Sequence, residues 1–447
     1  MQNIKMRKSR IGLSLLLFFF ATFFLCREEM VSAAGVPEVD AYAYVVMDAN
    51  NGEVLLEKNS DKKIYPASVT KLMTAVVALE SENYGKNYTA SKTLLSRVPS
   101  VASKAGARAG VNYTSDDMQK MLLLPSGADG AYLLAYSSYG SMTRFVKKMN
   151  EKAAEIGMRY TEYDNPIGLD ISDGYNHLSG TAMDYAVLTR YAMGKEEIRK
   201  NVRLQSARLS DGLVVTNTNR FYTVYGRKKN GYEIIGAKTG STDDAGLCLS
   251  AVARDAKGHE VICAYFKGKS NDGLYGGITS LFDYTFGQYK KGKIMLSTGA
   301  WDCRFRETEG IINSYVEQGI IKLSKAGTLK PDMEATQKQL VVLLNRTTKN
   351  EIRFRAEQPR KAATLCDYAR LVSPTAIQGI SEKKVNVVKR QESRRKLTEE
   401  EKNALTTVYS EGLVPKALGY DYDRKLTREE VVWLSSCYSL YVSALAD

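Results

Sequence analysis

The sequence predicts an α+β fold, in which helices and a helical subdomain pack on an antiparallel sheet, followed by a mainly helical C-terminal module. Three features of the 447 residues support this prediction. Segments of β type lie at both ends of residues 41–266, helical patterns lie between them, and the pattern changes after about residue 290. Strands at the two ends of a segment can join one sheet, on which the intervening helices pack.

The predicted strands come from two regions. Residues 41–57 favour a hairpin, because AYAYVVMDA and EVLLEK flank the turn sequence Asn50-Asn51-Gly52. In residues 232–266, YEIIGAKTG predicts a strand. The following AGLCLSAVARDAKGHEVICAYFKG predicts a hairpin with residues 255–258 at its tip.

The predicted helices lie between these strands. Pro66 precedes the helical apolar pattern TKLMTAVVALE, so Ser68 is expected near the N-terminus of a helix. Residues 116–160 are predicted to be mostly helical, with a break at LLPSGADG. The break places Ser126 in a loop between two helices.

The N-terminus has the pattern of a secretory signal peptide. Four basic residues precede the apolar run IGLSLLLFFFATFFLC, and Ala33-Ala34-Gly35 follows. We predict a signal peptide over residues 1–34, because the apolar run is shorter than the roughly 20 residues of a spanning helix. An uncleaved membrane anchor and a lipid-modified Cys26 are the alternatives. The mature chain is therefore expected to be secreted.

The cysteine pattern and the charge are less specific. Six cysteines are scattered without Cys-x-x-Cys spacing, which is typical neither of a disulfide framework nor of a zinc site. We expect buried free thiols, and a Cys248–Cys263 bond is the alternative. The net charge of +13 includes one basic run at residues 383–396, which is either a solvated linker or a contact for anionic wall polymer. No nucleic-acid-binding motif is recognised, so nucleic acid is not an expected partner.

Two stretches of the C-terminal region, residues 315–346 and 408–439, are similar to each other. Each runs from a helix end through glycine and two aliphatic residues to a polar loop, a threonine and a second helix. This pattern resembles S-layer homology repeats, with Thr427-Arg428-Glu429-Glu430 as the better copy and Thr336-Gln337-Lys338-Gln339 as the weaker one. A middle repeat within residues 350–395 cannot be traced. The resemblance implies cell-wall attachment, and a generic helical extension is the alternative.

Three motifs carry the candidate chemistry. Ser68 and Lys71 lie three residues apart, on one face of the predicted helix. A serine hydroxyl needs a base to become nucleophilic, and lysine can serve only if burial or a nearby cation lowers its pKa. Ser126 and the sequence Lys238-Thr239-Gly240 follow in the order that is typical of serine enzymes acting on penicillins. Lys238 supplies the second cation.

Beyond these motifs, the segments YPASVTKLMTA, Tyr163–Asp170, HLSGTAMDYAVLTRY and Asn217-Thr218-Asn219 complete a resemblance over about residues 38–290. This part of the chain resembles the serine-type D-alanyl-D-alanine carboxypeptidases, which are penicillin-binding proteins of low molecular weight. The resemblance implies a β-lactamase/transpeptidase-like domain over residues 35–290, followed by the C-terminal module over 291–447. It also implies a location at the cell wall or the outer membrane face of a bacterium.

The resemblance implies a role for each motif residue. Ser68 attacks the carbonyl between the last two D-alanines of a peptidoglycan stem peptide, Lys71 acts as base, and Ser126 relays the proton. Lys238, Thr239, Gly240 and Ser241 form the substrate-binding strand: Lys238 and Thr239 hold the terminal carboxylate, and the N–H groups of Ser68 and Ser241 form the oxyanion hole. β-Lactam antibiotics acylate the same serine, and no cofactor or metal is expected.

Two positions depart from the family pattern. The middle motif of the family is Ser-x-Asn, and here it is Ser126-Gly127-Ala128. Loss of the amide costs about 1–3 kcal/mol if a buried partner is left unpaired, which corresponds to a rate loss of roughly 5- to 150-fold. The second departure is Ser241, where many relatives have histidine.

Three other functions are weighed against this prediction. A catalytically impaired protein that only binds stem peptides is the main alternative, and Ala128 is its support. A serine β-lactamase of class A would need a Glu-x-x-x-Asn arrangement, and Glu162 and Asn165 are one residue short of it. A metal-dependent peptidase needs several histidine ligands, and the chain has only His177 and His259.

Overall fold

The computed structural model describes residues 35–169, 178–324, 326–348, 353–376, 397–418 and 423–446. Three predicted features lie outside these residues, namely the signal peptide with Cys26, His177, and the basic run at 383–396. Among the described residues, none belongs to a helix long and apolar enough to cross a bilayer.

The element boundaries follow the predicted order of strands, helices and strands. The described strands are β1 Ala43–Asp48, β2 Val54–Lys58, β3 Tyr88–Thr89, β4 Asn112–Tyr113, β5 Ser206–Arg208, β6 Val214–Thr216, β7 Lys228–Lys229, β8 Tyr232–Thr242, β9 Gly246–Asp255 and β10 Glu260–Gly268. The described α-helices are α1 Lys71–Leu79, α2 Lys92–Leu95, α3 Ser115–Leu123, α4 Ala128–Tyr139, α5 Met142–Glu155, α6 Ala182–Ala192, α7 Glu196–Val202, α8 Asn271–Lys290, α9 Glu309–Glu317, α10 Gln337–Thr347, α11 Leu365–Ala376, α12 Glu399–Ser410 and α13 Arg428–Ala446.

Six strands form one antiparallel sheet in the order β2-β1-β10-β9-β8-β7. The two ends of the segment meet in this sheet, because β1 pairs with β10 and Ala43 lies opposite Phe266. The predicted hairpins are present, and His259 follows the tip between β9 and β10. The prediction of an α+β fold with a shared antiparallel sheet is therefore confirmed.

Each face of the sheet is covered by an apolar layer. Along β10, Ile262 and Ala264 belong to one buried cluster, and Val261 and Cys263 belong to the other, as the alternation of side chains along a strand requires. The helices between β2 and β5 contribute to the first cluster, and α8 contributes to the second. The sheet is thus the middle layer, and the helical region on its first face carries Ser126.

The positions of the cysteines in these layers explain why they are unpaired. Cys248 belongs to the first cluster and Cys263 to the second, so the two thiols point to opposite faces and do not form a disulfide. All five described cysteines are free, and four of them are buried. The expectation of buried free thiols is confirmed for these four, and Cys437 is partly exposed.

The C-terminal module contains a ring of three short extended segments. The N–H of Ala335 donates to the carbonyl of Leu426, the N–H of Leu426 to that of Ala363, and the N–H of Ala363 to that of Ala335, each at 2.8 Å. Each segment leads into a helix that begins after a threonine. The cyclic hydrogen bonds relate three similar units.

The three threonines cap their helices in the same way. The N–H of Gln339 donates to Thr336 Oγ1 at 3.3 Å, and the Asp367 and Glu430 N–H groups donate to the matching threonines, each at 3.2 Å. Each of these acidic or amide side chains also accepts a hydrogen bond from the backbone N–H of its threonine, which completes a capping box. The middle unit, which could not be traced in the sequence, therefore has its extended segment at Ala363 and its capping threonine at Thr364.

A buried cluster of charges joins this module to the sheet. Glu260, at the start of β10, pairs with Arg199 on α7 and with Arg304, the latter at 2.7 Å. Burial raises the pKa of Glu260, but the two guanidinium groups outweigh it and lower the pKa to about 2. Nearby, Asn313 Nδ2 donates to the carbonyl of Asn50 at 2.8 Å. The module therefore packs directly against the sheet.

Candidate active site

Ser68 lies on a short 3-10 helix, Ala67–Thr70, that leads into α1. This turn and the first residue of α1 place Ser68 and Lys71 on the same side, as their spacing predicts. Lys71 Nζ donates to Ser68 Oγ at 2.8 Å. Ser68 is half-buried, whereas Lys71 is only 2% exposed.

The Lys71 ammonium has an acceptor for each of its three protons. Besides Ser68 Oγ, the acceptors are Ser126 Oγ at 3.4 Å and the carbonyl of Ile167 at 3.1 Å. Burial lowers the pKa of Lys71 to about 7, although the carboxylate of Asp129 opposes this shift. Lys71 can therefore be a neutral amine near neutral pH, which a base that accepts a serine proton must be.

Ser126 lies in the predicted break, between α3 and α4. Its backbone is left-handed, with a φ of 62°, which is uncommon for a residue with a side chain and often marks a functional site. Ala128 follows as the first residue of α4, and its N–H donates to the carbonyl of Ser103 at 2.7 Å. Because Ile167 supplies an acceptor to Lys71, the absence of an asparagine at position 128 leaves no proton of Lys71 unpaired.

Asp129 is a site residue that the sequence reasoning did not identify. One of its carboxylate oxygens accepts the N–H of Ala105, and the other accepts the N–H groups of Gly106 and Ala107, each at 2.8 Å. The carboxylate thus fixes the 105–107 loop beside Ser126 and raises the pKa of Lys71. The sequence feature that could have indicated Asp129 is its position as an acidic residue in the first turn of a predicted helix.

Lys238 and Thr239 lie on β8. Lys238 is 1% exposed, and its Nζ donates to the carbonyl of Thr239 at 2.8 Å. Burial and the nearby Lys71 hold the pKa of Lys238 well below its usual value. Thr239 Oγ1 shares a hydrogen bond with Thr218 Oγ1 at 2.7 Å. Thr218 therefore places a second hydroxyl group beside Lys238 and Thr239.

Gly240 brings β8 against the backbone of the nucleophile. A Cβ at this position would lie 2.9 Å from the Ser68 nitrogen and 3.0 Å from the Val69 nitrogen. Real Cβ atoms do not approach so closely, so a side chain here would push β8 away from Ser68. Ser241 is the next residue of β8, and its side chain is exposed.

The loop at 163–169 supports Ser68 from behind. Asn165 Oδ1 accepts the N–H groups of Ile167 at 3.1 Å and of Gly168 at 2.8 Å, which fixes the carbonyl that Lys71 uses. Asn165 therefore organises a turn. Glu162 is exposed, and its backbone pairs with Ser179. Glu162 and Asn165, the two residues weighed for a β-lactamase, therefore make contacts that hold the backbone of this region in place.

No group of three or more potential metal ligands occurs among the residues that the structure describes. His259 Nδ1 contacts Asp255 Oδ2 at 2.8 Å, and its ring packs edge-on against Tyr289. His259 lies in the turn between β9 and β10 and packs against the C-terminal end of α8.

A family model described as D-alanyl-D-alanine carboxypeptidase matches residues 30–270, more than half of the chain. The chain belongs to this family. The match covers every predicted site residue. It ends before α8, so the C-terminal module lies outside it.

Curated relatives and solved structures agree with the family assignment. D-alanyl-D-alanine carboxypeptidase DacF of Bacillus subtilis is 31% identical over 56% of this chain and 63% of its own length. DacC of Escherichia coli is 30% identical over 54% of this chain and 59% of its own length. This chain thus spans about three fifths of the curated relatives that it matches.

Two solved structures show the same fold over the first part of the chain. A D-alanyl-D-alanine carboxypeptidase from Mycobacterium tuberculosis is 27% identical, has a TM-score of 0.52, and covers 58% of this chain and 96% of that one. A mutant of the Streptomyces K15 DD-transpeptidase is 27% identical, has a TM-score of 0.50, and covers 56% of this chain and 99% of that one.

Proposed function

We propose that this protein is a serine D-alanyl-D-alanine carboxypeptidase that removes the terminal D-alanine from peptidoglycan stem pentapeptides. It does so through an acyl-enzyme on Ser68, and penicillins acylate the same residue. The observation that carries this proposal is the hydroxyl of the half-buried Ser68, which lies 2.8 Å from a buried lysine whose pKa is lowered to about 7. Such a pair is an activated nucleophile with its base.

The reaction begins with transfer of the Ser68 proton to neutral Lys71 as Ser68 Oγ attacks the penultimate carbonyl carbon. The resulting oxyanion accepts hydrogen bonds from the N–H groups of Ser68 and Ser241. Ser126, within reach of Lys71, passes the proton to the leaving nitrogen, and the C–N bond breaks to release D-alanine. Water then adds to the ester carbonyl, Lys71 again takes the proton, and Ser68 is regenerated.

Lys238, Thr239 and Thr218 supply the binding site for the terminal carboxylate. The low pKa of Lys238 reflects the burial of its amine and the nearby Lys71. A substrate carboxylate beside it would favour the charged ammonium and would raise its pKa. Binding energy would therefore depend on a free C-terminal carboxylate, as a carboxypeptidase requires.

The alternative is an impaired enzyme that binds stem peptides without turnover, because position 128 is alanine. The saturated hydrogen bonds of Lys71 argue against an unpaired group there. The deciding test is release of D-alanine from a peptide ending in Lys-D-Ala-D-Ala, measured for the parent, Ser68→Ala and Ala128→Asn. Release by the parent and not by Ser68→Ala supports the enzyme. Release only by Ala128→Asn supports the impaired binder.

We predict that acylation by benzylpenicillin accelerates as the pH rises through about 7. Below this pH Lys71 is an ammonium and cannot accept the Ser68 proton, and above it the amine is free. Asp129→Asn removes the carboxylate that raises the pKa of Lys71, so we expect its midpoint at a lower pH. Stopped-flow acylation between pH 5 and 9 measures both midpoints.

The control for this pH series is Asp116→Asn, which removes an exposed carboxylate on α3 that accepts hydrogen bonds from Lys120 and Asn201. Its midpoint should match that of the parent. A parent rate that does not change across pH 7, or equal midpoints for Asp129→Asn and the parent, would contradict the assignment of Lys71 as the base.

We further propose the domain division 1–34, 35–290 and 291–447, with a secreted mature protein that acts at the cell wall. The support is that α8 ends at Lys290, while the buried cluster of the C-terminal module begins at Ala300. The proposed role of the module is attachment to an anionic wall polymer, and the ring of three similar units supports a repeat module.

Sedimentation with wall sacculi tests this attachment. The mature Ser68→Ala protein, saturated with a stem peptide to occupy the catalytic cleft, is mixed with sacculi before and after acid extraction of their covalently bound polymer. Cosedimentation only with the unextracted sacculi supports attachment. Equal recovery with both preparations, or with neither, would oppose it.

A further inference from the structure

The C-terminal module holds helix α7 through two side chains. Arg304 Nη2 donates to Glu260 Oε2 at 2.7 Å, and Arg199 Nη1 of α7 donates to the same oxygen at 3.1 Å. The guanidinium of Arg199 also lies over the ring of Trp301, 4.5 Å from its centroid. All four residues are buried, and buried charges are screened much less than exposed ones. Arg304 and Trp301 therefore fix the position of α7 from the side of the module.

The backbone before α7 packs against the same part of the module. A Cβ added at Gly194 would lie 3.3 Å from the carbonyl oxygen of Trp301 and 3.5 Å from the Cβ of Arg304. In addition, Arg199 Nη1 donates to the carbonyl of Met193 at 3.2 Å. The ion pairs, the start of α7 and the module are thus joined to one another.

The other end of α7 lies against the strand that carries the carboxylate site. A Cβ added at Gly236 of β8 would lie 2.8 Å from Cγ2 of Val202, the last residue of α7. The pairing of β8 with β9 is irregular between Ile234 and Gly236, and Lys238 follows two residues later. A shift of α7 would therefore move β8 just before the lysine that binds the substrate.

Asn217 joins the same end of α7 to a hydroxyl of the carboxylate site. Its Nδ2 donates to the carbonyl of Leu204 at 2.9 Å and to that of Val202 at 3.4 Å. The next residue, Thr218, shares its hydrogen bond with Thr239 at 2.7 Å. Asn217 is buried, so its amide depends on these carbonyls. The residues at the end of α7 thus hold Thr218 beside Thr239.

We propose that the C-terminal module is a positioning element of the catalytic domain, in which Arg304 acts through Glu260 and α7 to hold the site for the terminal carboxylate of the substrate. The inference rests on the proposed function, which assigns this carboxylate to Lys238, Thr239 and Thr218. Among the described residues, Arg304 contacts none of these three, so it is a positioning residue. Such support matters because a displacement of about 1 Å caused far from the reacting atoms can lower a rate 100-fold.

The test measures the affinity of the full-length Ser68→Ala protein for acetyl-Lys-D-Ala-D-Ala and for the same peptide with a C-terminal amide. The ratio of the two affinities, obtained by calorimetric titration, reports the carboxylate site without turnover. We expect the acid to bind roughly 10- to 150-fold more tightly, the range for hydrogen bonds to a charged group. Adding Arg304→Met should lower this ratio by roughly two- to thirtyfold, the range for substitutions along coupled contacts. The affinity for the amide should stay the same.

The Arg304→Met protein should fold. Nε and Nη1 of Arg304 have no hydrogen-bond partner within the described part of the chain, so methionine removes two unpaired donors. Glu260 keeps its ion pair with Arg199. If this variant does not fold, Trp301→Leu takes its place, since it removes the ring beside Arg199 and leaves the ion pairs intact. We expect it to lower the same ratio.

The control Ser297→Ala removes a different contact of the module, the hydrogen bond from Ser297 Oγ to Asp48 of β1 at 3.0 Å. It should keep the ratio of the Ser68→Ala protein. A ratio that falls with Arg304→Met and not with Ser297→Ala supports the inference, even if the parent releases no D-alanine, in which case only the proposed function fails. An unchanged ratio, an equal loss of affinity for both peptides, or a Ser68→Ala protein that binds both peptides equally overturns the inference.

Discussion

Lys71→Met should slow acylation by benzylpenicillin by a factor of roughly 10²–10⁴, the usual contribution of a general base. Methionine keeps the unbranched chain of lysine but cannot accept the Ser68 proton. The folded state should not be weakened, because Lys71 is 2% exposed and burial of its charged form is unfavourable. Stopped-flow acylation and thermal unfolding, measured on the same samples, check both parts.

The matched control is Lys147→Met on the exposed face of α5, where the lysine lies 3.9 Å from Glu151. It should acylate at the parent rate. An acylation rate of Lys71→Met within threefold of the parent would show that another group activates Ser68. A large loss of Tm would show that Lys71 acts mainly through packing.

Gly168→Ala should lower the free energy of unfolding by at least about 3 kcal/mol, as a change that combines strain with a backbone clash. The φ of Gly168 is 77°, and an added Cβ would lie 1.8 Å from the carbonyl oxygen of Ala67. Neither group can move without displacing the residue next to Ser68. We therefore also expect acylation to fall by at least tenfold, and urea unfolding with acylation kinetics measures both losses.

Two control substitutions, Gly157→Ala and Gly276→Ala, distinguish the effect of backbone strain from that of the steric clash. Gly157 has a φ of 85° but open space around its Cβ position, so Gly157→Ala reports the backbone strain alone, about 1 kcal/mol. Gly276 lies in α8 with open space and no positive φ, so Gly276→Ala should be neutral or stabilising. If Gly168→Ala costs no more than Gly157→Ala, the close approach of the 163–169 loop to Ser68 is not rigid.

The main elements of the site could be predicted because their chemistry resides in side chains with fixed local spacing. Ser68 and Lys71 share a helical turn, Ser126 lies in a break that glycine marks, and Lys238-Thr239-Gly240 lies on a strand. The structure brings Ser126 Oγ to 3.4 Å from Lys71 Nζ, and Gly240 against the Ser68 nitrogen.

The parts of the site that could not be predicted depend on tertiary contacts. The third acceptor of Lys71 is the carbonyl of Ile167, a backbone group that no residue type reveals. Asp129 acts by binding the N–H groups of a loop more than twenty residues earlier in the chain. The predicted loss from Ala128 depended on an unpaired partner, and only the position of Ile167 shows that Lys71 has none.

In the C-terminal module too, some parts could be predicted from the sequence and others depend on tertiary contacts. The outer units were visible because each has a glycine, a polar loop and a capped helix at similar spacing. The middle unit reads Thr364-Leu365-Cys366-Asp367, which keeps only the capping box of threonine and an acceptor three residues later. The ring that defines the unit is made of backbone hydrogen bonds, so it is independent of side-chain identity.

The most direct test of the central claim, that Ser68 is the acylated nucleophile, is intact-protein mass spectrometry after brief exposure to benzylpenicillin. We predict that the parent gains the mass of one opened penicillin, that peptide mapping places it on Ser68, and that Ser68→Ala gains nothing. A parent that stays unmodified, or a Ser68→Ala protein that gains the same mass, would contradict the account.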